Sequence, residues 1–226
     1  MTSTKARMGS SVPHLETFET RLGAMRGFST IVLALLLVTA LSGCFGGGEA
    51  AISEPAVPGI VLQPEDLGAG FSRFDEGPLA SADTPPGERG DAERFGRRGG
   101  WKSRYRRLGS PTAAGPLVVE SRVDLFGGAG GAGQEFDAHA DELEVQVTRV
   151  VAERLVELED VGDEAVAAVP GASESGSAVF FTVVWRYENV VASVVANGVS
   201  GKLGLRDVLA LVRDQQRRVE RAATRG

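Results

Sequence analysis

Two β-rich runs in the last quarter of the chain constrain its fold more than any other feature. The first is AVFFTVVWRY at 178–187, and the second is VVASVVANG from Val190. Only Glu188 and Asn189 separate them, and two β-rich runs around a two-residue polar break are typical of a β-hairpin. Because this is the most apolar stretch after Cys44, we expect residues 178–198 to form a central antiparallel pair of a sheet.

Hydrophobic periodicity predicts the other elements. Alternation at period two, or a short apolar run, predicts strands at 101–108, 116–126, 155–158 and 165–169. A 4-3-4-3 rhythm of apolar residues predicts helices at about 132–151 and 205–219. This order of elements is typical of an α+β fold, with an antiparallel sheet and two main helices packed on one face.

Side-chain alternation within the hairpin predicts which way its residues point. Trp185 shares a strand face with Phe181 and Val183, whereas Arg186 lies on the other face. We therefore expect Trp185 to point to the core beneath both helices. Arg186 should point to the open face, level with strand 101–108.

A second feature predicts where the domain resides. Arg26 precedes an apolar run, Ile31 to Leu41, that ends in Leu-Ser-Gly and Cys44, the only cysteine. A basic residue, a short apolar core and small residues are the layout of an export signal. The eleven residues of the run span about 16 Å as a helix, too short for a bilayer core of roughly 30 Å. A longer run, from Phe28 to Phe45, leaves a marginal transmembrane helix as the alternative.

The end of this signal resembles the lipobox of bacterial lipoproteins, which is cleaved before its cysteine and acylated on it. We therefore expect residues 25–44 to be a lipoprotein signal peptide and Cys44 to be the lipidation site. Two or more acyl chains anchor a protein stably, so the domain should be held on the cell membrane, facing away from the cytoplasm. Residues 1–24 are polar, and we expect either an extension of the signal or a start of translation at Met25.

Composition predicts the organisation of the rest. Residues 45–58 are rich in Gly, Ala, Pro and Glu, which is typical of a flexible tether. Residues 59–226 are long enough for one globular α+β domain. Within it, residues 76–100 lose apolar content and gain Pro, Gly and charge, so we expect an exposed loop there.

Charge and cysteine content argue against a nucleic-acid partner and against disulfide bonds. The chain after Cys44 carries 20 basic and 28 acidic residues, a balance that argues against nucleic acid as a partner. With Cys44 acylated, no cysteine remains to form a disulfide. The exported domain must therefore be stabilised by burial alone.

A cluster of cations with interleaved aromatic residues is the candidate binding surface. One interpretation is an electropositive strip that meets lipid headgroups or an anionic envelope polymer. The more ordinary alternative is a solvated strand face whose cations pair with carboxylates. The candidate residues are Arg97, Arg98, Trp101, Lys102, Arg104, Arg106 and Arg186.

The sequence offers little for catalysis or for cofactors. The glycines at 128–133 match G-x-G-x-x-G, but the strand before them alternates in polarity, so a glycine-rich turn into a helix is favoured over a dinucleotide site. His139 is the only histidine after Cys44, and no G-x-S-x-G or metal-ligand spacing occurs. We therefore expect no enzyme, no catalytic residue, no cofactor and no metal; an exported hydrolase using serine or carboxylates is a minor alternative.

Three short motifs, in order, carry a resemblance. LQPEDLG at 62–68, VGDEA at 161–165 and VVWRYENVV at 183–191 resemble exported lipoproteins and sensor-type domains of actinobacteria, in particular the extracellular domain of the PknH-type receptor kinases. The resemblance implies an α+β ligand-binding or sensing module with no catalytic residues to carry over. The chain departs from that kinase domain, which is stapled by disulfides, because it has no spare cysteine.

These observations predict a membrane-anchored extracytoplasmic lipoprotein that acts as a ligand-binding or sensing domain of the cell envelope. Its ligand should lie between the sheet and the loop 76–100, or against the cationic surface. The alternative is a structural or protein-interaction lipoprotein without a small-molecule ligand. The expected partners are the membrane, through lipid on Cys44, and an anionic envelope ligand or another protein.

Overall fold

A single antiparallel sheet organises the molecule. The computed structural model describes residues 51–79, 95–109, 113–149 and 153–225. Within them, seven strands pair in the order β1-β2-β3-β7-β6-β5-β4. The strands are β1 Phe71–Pro78, β2 Arg97–Arg107, β3 Val118–Phe126, β4 Glu153–Glu157, β5 Glu164–Pro170, β6 Ala178–Tyr187 and β7 Val190–Val199. The helices are α1 Val57–Ile60, α2 Ala129–Arg149 and α3 Leu205–Ala223, with single 3-10 turns at Glu54–Ala56 and Pro64–Asp66. The predicted α+β class is confirmed.

The predicted hairpin is confirmed and lies at the centre of the sheet. Strands β6 and β7 pair from Ala178 with Val199 to Tyr187 with Val190. Glu188, in the turn, has a positive φ of 51°. Strand β7 also pairs with β3, so the hairpin joins the β1-β2-β3 side of the sheet to the β5-β4 side.

The two main helices pack on opposite faces of the sheet, so the expectation that they share one face is wrong. Trp185 belongs to a core cluster with Val208 and Val212 of α3. Val184, which points the other way, belongs to a second cluster with Phe136 and Leu143 of α2. We call these the α3 face and the α2 face. The reason lies in the central strands, which are apolar at both parities and therefore need cover on both faces.

Trp185 lies as predicted with respect to α3 but not with respect to α2. Its side chain has no exposed surface, and its Nε1 donates a hydrogen bond of 2.7 Å to Gln216 Oε1 of α3. Helix α2, which corresponds to the predicted helix 132–151, lies across the sheet from it. Trp185 therefore supports the packing of α3 alone.

The segment before α1 is part of the core, which corrects the predicted tether over residues 45–58. Ile52 and Ile60 are each 1% exposed, and Val57 is 4% exposed. The Asn189 side chain holds Ile52 from both sides: it accepts from the Ile52 amide and donates to the Ile52 carbonyl, each at 3.0 Å. Burial of these apolar residues offsets the entropy of ordering a Gly- and Pro-containing segment. Residues 45–50 lie outside the described residues.

A buried polar network fixes the next residues of the same segment. The Leu62 carbonyl accepts from Ser103 Oγ at 3.0 Å and from the Tyr105 hydroxyl at 2.8 Å. The Leu62 amide donates to Ser121 Oγ at 2.9 Å, and that hydroxyl lies 2.7 Å from Gln215 Oε1 of α3. Burial raises the pKa of the Tyr105 phenol, so the group stays neutral as a donor. The segment is thus bound between the sheet and α3.

The predicted loop 76–100 is shorter than expected at both ends. Strand β1 continues to Pro78, and β2 begins at Arg97. The intervening residues 80–94 lie outside the described residues, as does the predicted signal with Cys44. In the part of the chain that the structure describes, no helix is both long and apolar enough to cross a membrane.

The glycine-rich motif leads from β3 into the first turns of α2. A dinucleotide-binding turn requires a βαβ unit with parallel strands, whereas all the pairs within the described sheet are antiparallel. Gly131 instead permits a close approach, because a Cβ atom there would clash with the Phe95 carbonyl oxygen. The motif therefore packs α2 against the start of β2.

Candidate functional site

An apolar pocket lies where the N-terminal segment crosses the ends of β1 and β2. Its volume is 390 Å³, within the range of small-molecule sites. One wall is the segment at 54–58, and the others are the end of β1 and the start of β2. The lining residues are Glu54, Pro55, Val57, Pro58, Pro78, Leu79, Gly99, Gly100 and Trp101.

Trp101 is the chemically distinctive residue of this pocket. Its side chain lies on the α3 face, opposite Val123 of β3, and packs partly against the larger core cluster. Its Nε1 atom is buried and has no hydrogen-bond partner among the described residues. A buried donor without a partner costs about 1–3 kcal/mol. Because solvent does not reach this atom, a ligand's acceptor would be stabilised here once the indole turned to expose its N–H to the pocket.

The rest of the pocket is mostly apolar, and hydrogen bonds attach its walls to one another and to the sheet. Pro55 and Pro58 restrict the N-terminal wall, which the Asn189 and Leu62 hydrogen bonds attach to the sheet. The Leu79 amide donates to the Gly100 carbonyl at 3.0 Å and joins the other two walls. Glu54 is the one charged residue among the described residues of the lining. Such a site can hold a largely apolar molecule and orient one of its oxygens.

The cations of the candidate surface are mostly engaged with carboxylates. Arg97 Nε lies 2.6 Å from Asp124 Oδ1, and Lys102 Nζ lies 3.2 Å from Asp75 Oδ2. Arg104 approaches Glu120 at 2.8 Å and Asp75 at 3.6 Å. Arg98 and Arg106 are exposed. The surface of these strands is therefore mixed in sign, the arrangement that the more ordinary interpretation expects.

The structure does not bring all seven candidate residues together. Lys102, Arg104 and Arg106 point to the α2 face, whereas Trp101 lies on the α3 face. Arg186 points to the α2 face, but β3 and β7 separate its strand from β2, and its guanidinium binds Asp163 at 2.9 Å and Glu164 at 2.8 Å. Trp101 alone among them lines the apolar pocket.

A second, polar cleft of 560 Å³ lies on the other side of the same N-terminal segment, against the end of α3. Arg218, Arg221 and Arg225 line it, and Pro55 is shared with the apolar pocket. Arg218 binds Asp66 at 2.8 Å and Glu65 at 2.9 Å. Burial opposes the charge of Arg218, but these two hydrogen bonds outweigh it and raise its pKa. This arginine therefore serves the fold, by joining α3 to the turn at Pro64–Asp66.

Other kinds of site have less support. The large exposed apolar residues lie on different parts of the fold: Phe74 on β1, Leu108 after β2, Val145 on α2 and Phe180 on β6. Among the described residues, no group of three or more His, Cys, Asp or Glu side chains is arranged to hold a metal ion. The Trp101 pocket is thus better supported as a ligand site than an exposed apolar patch or a metal centre.

Comparisons with known proteins give little. No protein-family model matches the chain, and no curated protein matches it. Among solved structures, the extracellular domain of PknH from Mycobacterium tuberculosis is similar at 12% identity and a TM-score of 0.47, over 75% of this chain and 100% of that one. The resemblance seen in the sequence is therefore present in the structure but weak, and a likeness of this degree indicates nothing about function.

Sequence reasoning identified Trp101 but not its pocket. The other walls come from residues that are distant in sequence and have no distinguishing pattern, such as Pro55 and Leu79. The one available signal was the combination of Ile52, Val57 and Ile60, an apolar set within a segment whose overall composition resembles a linker. That set shows that the segment is buried, and a buried segment beside Trp101 forms the pocket.

Proposed function

We propose that this chain is a membrane-anchored extracytoplasmic lipoprotein whose domain binds a largely apolar ligand of the cell envelope, as a binding or sensing module. The observation that carries the proposal is an apolar pocket of 390 Å³ lined by Trp101, whose buried Nε1 has no hydrogen-bond partner among the described residues. The signal-like residues 25–44 and Cys44 support the location. In this proposal the domain binds its ligand and does not catalyse a reaction.

Binding is tested by nuclear magnetic resonance of the two indole N–H groups, since the chain has two tryptophans. The Trp185 indole already donates to Gln216, whereas the Trp101 indole has no acceptor among the described residues and can donate to a new one. We expect an organic extract of the envelope to shift the Trp101 resonance and to leave the Trp185 resonance unchanged. Trp101→Leu keeps an apolar wall but removes the donor, and should weaken binding about fivefold, since one hydrogen bond is worth roughly 1 kcal/mol.

The two indole resonances are assigned with Trp101→Phe and Trp185→Phe. A water-soluble envelope fraction serves as a second probe. If neither fraction moves the Trp101 resonance, or if both resonances move together, ligand binding in this pocket is contradicted.

Anchoring is tested separately with Cys44→Ser. Acylation would supply the free energy of membrane attachment, so this variant should lose its lipid and accumulate as uncleaved precursor or soluble protein. The mass of the peptide that begins at residue 44 and the fractionation of membranes after carbonate washing measure the two effects. A Cys44→Ser protein that lacks the signal yet still fractionates with washed membranes would contradict the lipid anchor.

A further inference from the structure

The apolar pocket lies close in sequence to the proposed lipid anchor. Cys44 precedes Ile52 by eight residues, and Ile52 is fixed to Asn189 at the start of the pocket wall. Eight residues reach at most roughly 28 Å when fully extended. In this proposal the acyl chains on Cys44 enter the membrane. A pocket lined by Glu54, Pro55 and Pro58 would therefore lie no farther from the membrane than about the thickness of one bilayer.

The lining of the pocket fits an alkyl chain with a polar end. Proline, valine and leucine side chains and the Trp101 ring supply apolar walls, and the indole Nε1 is a buried donor that has no partner among the described residues. A volume of 390 Å³ equals roughly a dozen groups of the size of a water molecule, at ~30 Å³ each, and a methylene group is of similar size. Each methylene that leaves water for such walls contributes about 0.8 kcal/mol.

We propose that the Trp101 pocket takes an alkyl chain of a membrane lipid, and that the Trp101 indole turns to bring Nε1 to the pocket surface, where it donates a hydrogen bond to a carbonyl or hydroxyl oxygen near the end of that chain. This inference rests on the proposed lipid anchor, because the anchor keeps the pocket beside the bilayer. The ligand of the binding module is then an amphiphile from the membrane that holds the protein.

The test uses fluorescence quenching by bromine atoms, which act only on a fluorophore in contact with them. The acylated mature protein is reconstituted into vesicles of phosphatidylcholine and phosphatidylglycerol whose acyl chains are brominated at mid-chain. Trp185→Phe leaves Trp101 as the only tryptophan. Its fluorescence should fall about twofold or more relative to unbrominated vesicles, because a pocket buries most of its ligand against its walls.

Three variants make the result specific. Trp101→Phe leaves Trp185 as the only tryptophan; Trp185 has no exposed surface, so its fluorescence should not change. In the Trp185→Phe background, Gly99→Leu fills the pocket, because a Cβ atom at Gly99 meets open space beside Trp101, and should abolish the quenching. Gly77→Leu adds the same side chain at a glycine that also has open space but does not line the pocket, and should leave the quenching intact.

Each outcome decides the proposal. If Gly99→Leu is quenched as strongly as its parent, Trp101 dips into the bilayer itself and the pocket proposal is wrong. Vesicle flotation and the mass of the Cys44 peptide report separately on the anchor. A protein that is acylated and floats but shows no Trp101 quenching contradicts the alkyl-chain site alone. Loss of acylation and flotation contradicts the anchor, and the alkyl-chain site that rests on it falls as well.

Discussion

Replacing Trp185 by alanine is expected to lower the free energy of unfolding by about 3–5 kcal/mol, the usual loss for a large aromatic residue in a core. The side chain has no exposed surface and lies under α3 at the centre of the sheet. The substitution leaves a cavity and also removes the donor to Gln216 Oε1, a buried acceptor. Because a domain of this size has only about 5–15 kcal/mol of stability in total, the melting temperature should fall sharply.

Urea unfolding followed by circular dichroism measures this effect, and Arg186→Ala is the matched control on the next residue. Arg186 points to the other face and pairs with Asp163 and Glu164, of which Glu164 is 48% exposed. Exposed ion pairs contribute about 0–1 kcal/mol. A loss at Arg186→Ala as large as that at Trp185→Ala would show that the two faces of β6 have been assigned the wrong way round.

The faces of β6 also show how far the sequence predicted the fold. The 178–198 hairpin, the two long helices and most strands followed from periodicity, because a half-buried element alternates between apolar and polar residues. The side on which α2 packs did not follow. Val184 and Val191 on the second face are as buried as Trp185, and a strand apolar at both parities predicts cover on both faces. The sequence prediction placed both helices on one face because that face of β6 carries the aromatic residues.

The N-terminal segment and β1 were missed for a different physical reason. Composition averages over a window, and residues 45–58 average to a linker. Three apolar side chains, Ile52, Val57 and Ile60, are nevertheless buried in the core. Strand β1 carries Arg73, Asp75 and Glu76 on an edge of the sheet, where only one side of the strand is paired. An edge strand of this kind has too little apolar periodicity to be recognised from sequence.

The site was predictable only in part, because its ion pairs depend on which strands are neighbours in the sheet. Trp101 stood out because an aromatic residue between cations is unusual. The cations around it, which dominated the prediction, are largely bound to carboxylates such as Asp124 and Glu120 that lie on the neighbouring strand. Cross-strand pairing depends on the order of strands in the sheet, and local sequence patterns do not contain that order.

The second large effect is expected at Asn189, whose side chain attaches the N-terminal segment to the sheet. It is 2% exposed, accepts from the Ile52 amide at 3.0 Å, and donates to the carbonyls of Ile52 at 3.0 Å and of Phe126 at 3.2 Å. Asn189→Ala leaves these backbone groups unpaired. At about 1 kcal/mol or more for each lost hydrogen bond, we expect the free energy of unfolding to fall by roughly 2–4 kcal/mol.

The neighbouring turn residue is the matched control for this substitution. Glu188 has a φ of 51°, which glycine adopts without strain, and its backbone amide bonds to Asp163 Oδ2 and would be retained. Glu188→Gly should therefore change stability by about 1 kcal/mol or less. A comparable loss in both variants would mean that the turn itself, and not the Asn189 side chain, is what matters.

Hydrogen exchange separates a general loss of stability from release of the N-terminal segment. If Asn189 holds Ile52 in place, Asn189→Ala should speed exchange across residues 52–60 far more than across β6 and β7, because local opening precedes global unfolding. The same residues form one wall of the Trp101 pocket, so ligand binding should weaken under conditions in which the sheet is still folded. Equal acceleration in the segment and in the hairpin would show that the segment and the sheet unfold as one unit, and that Asn189 stabilises the whole domain without holding the pocket wall in particular.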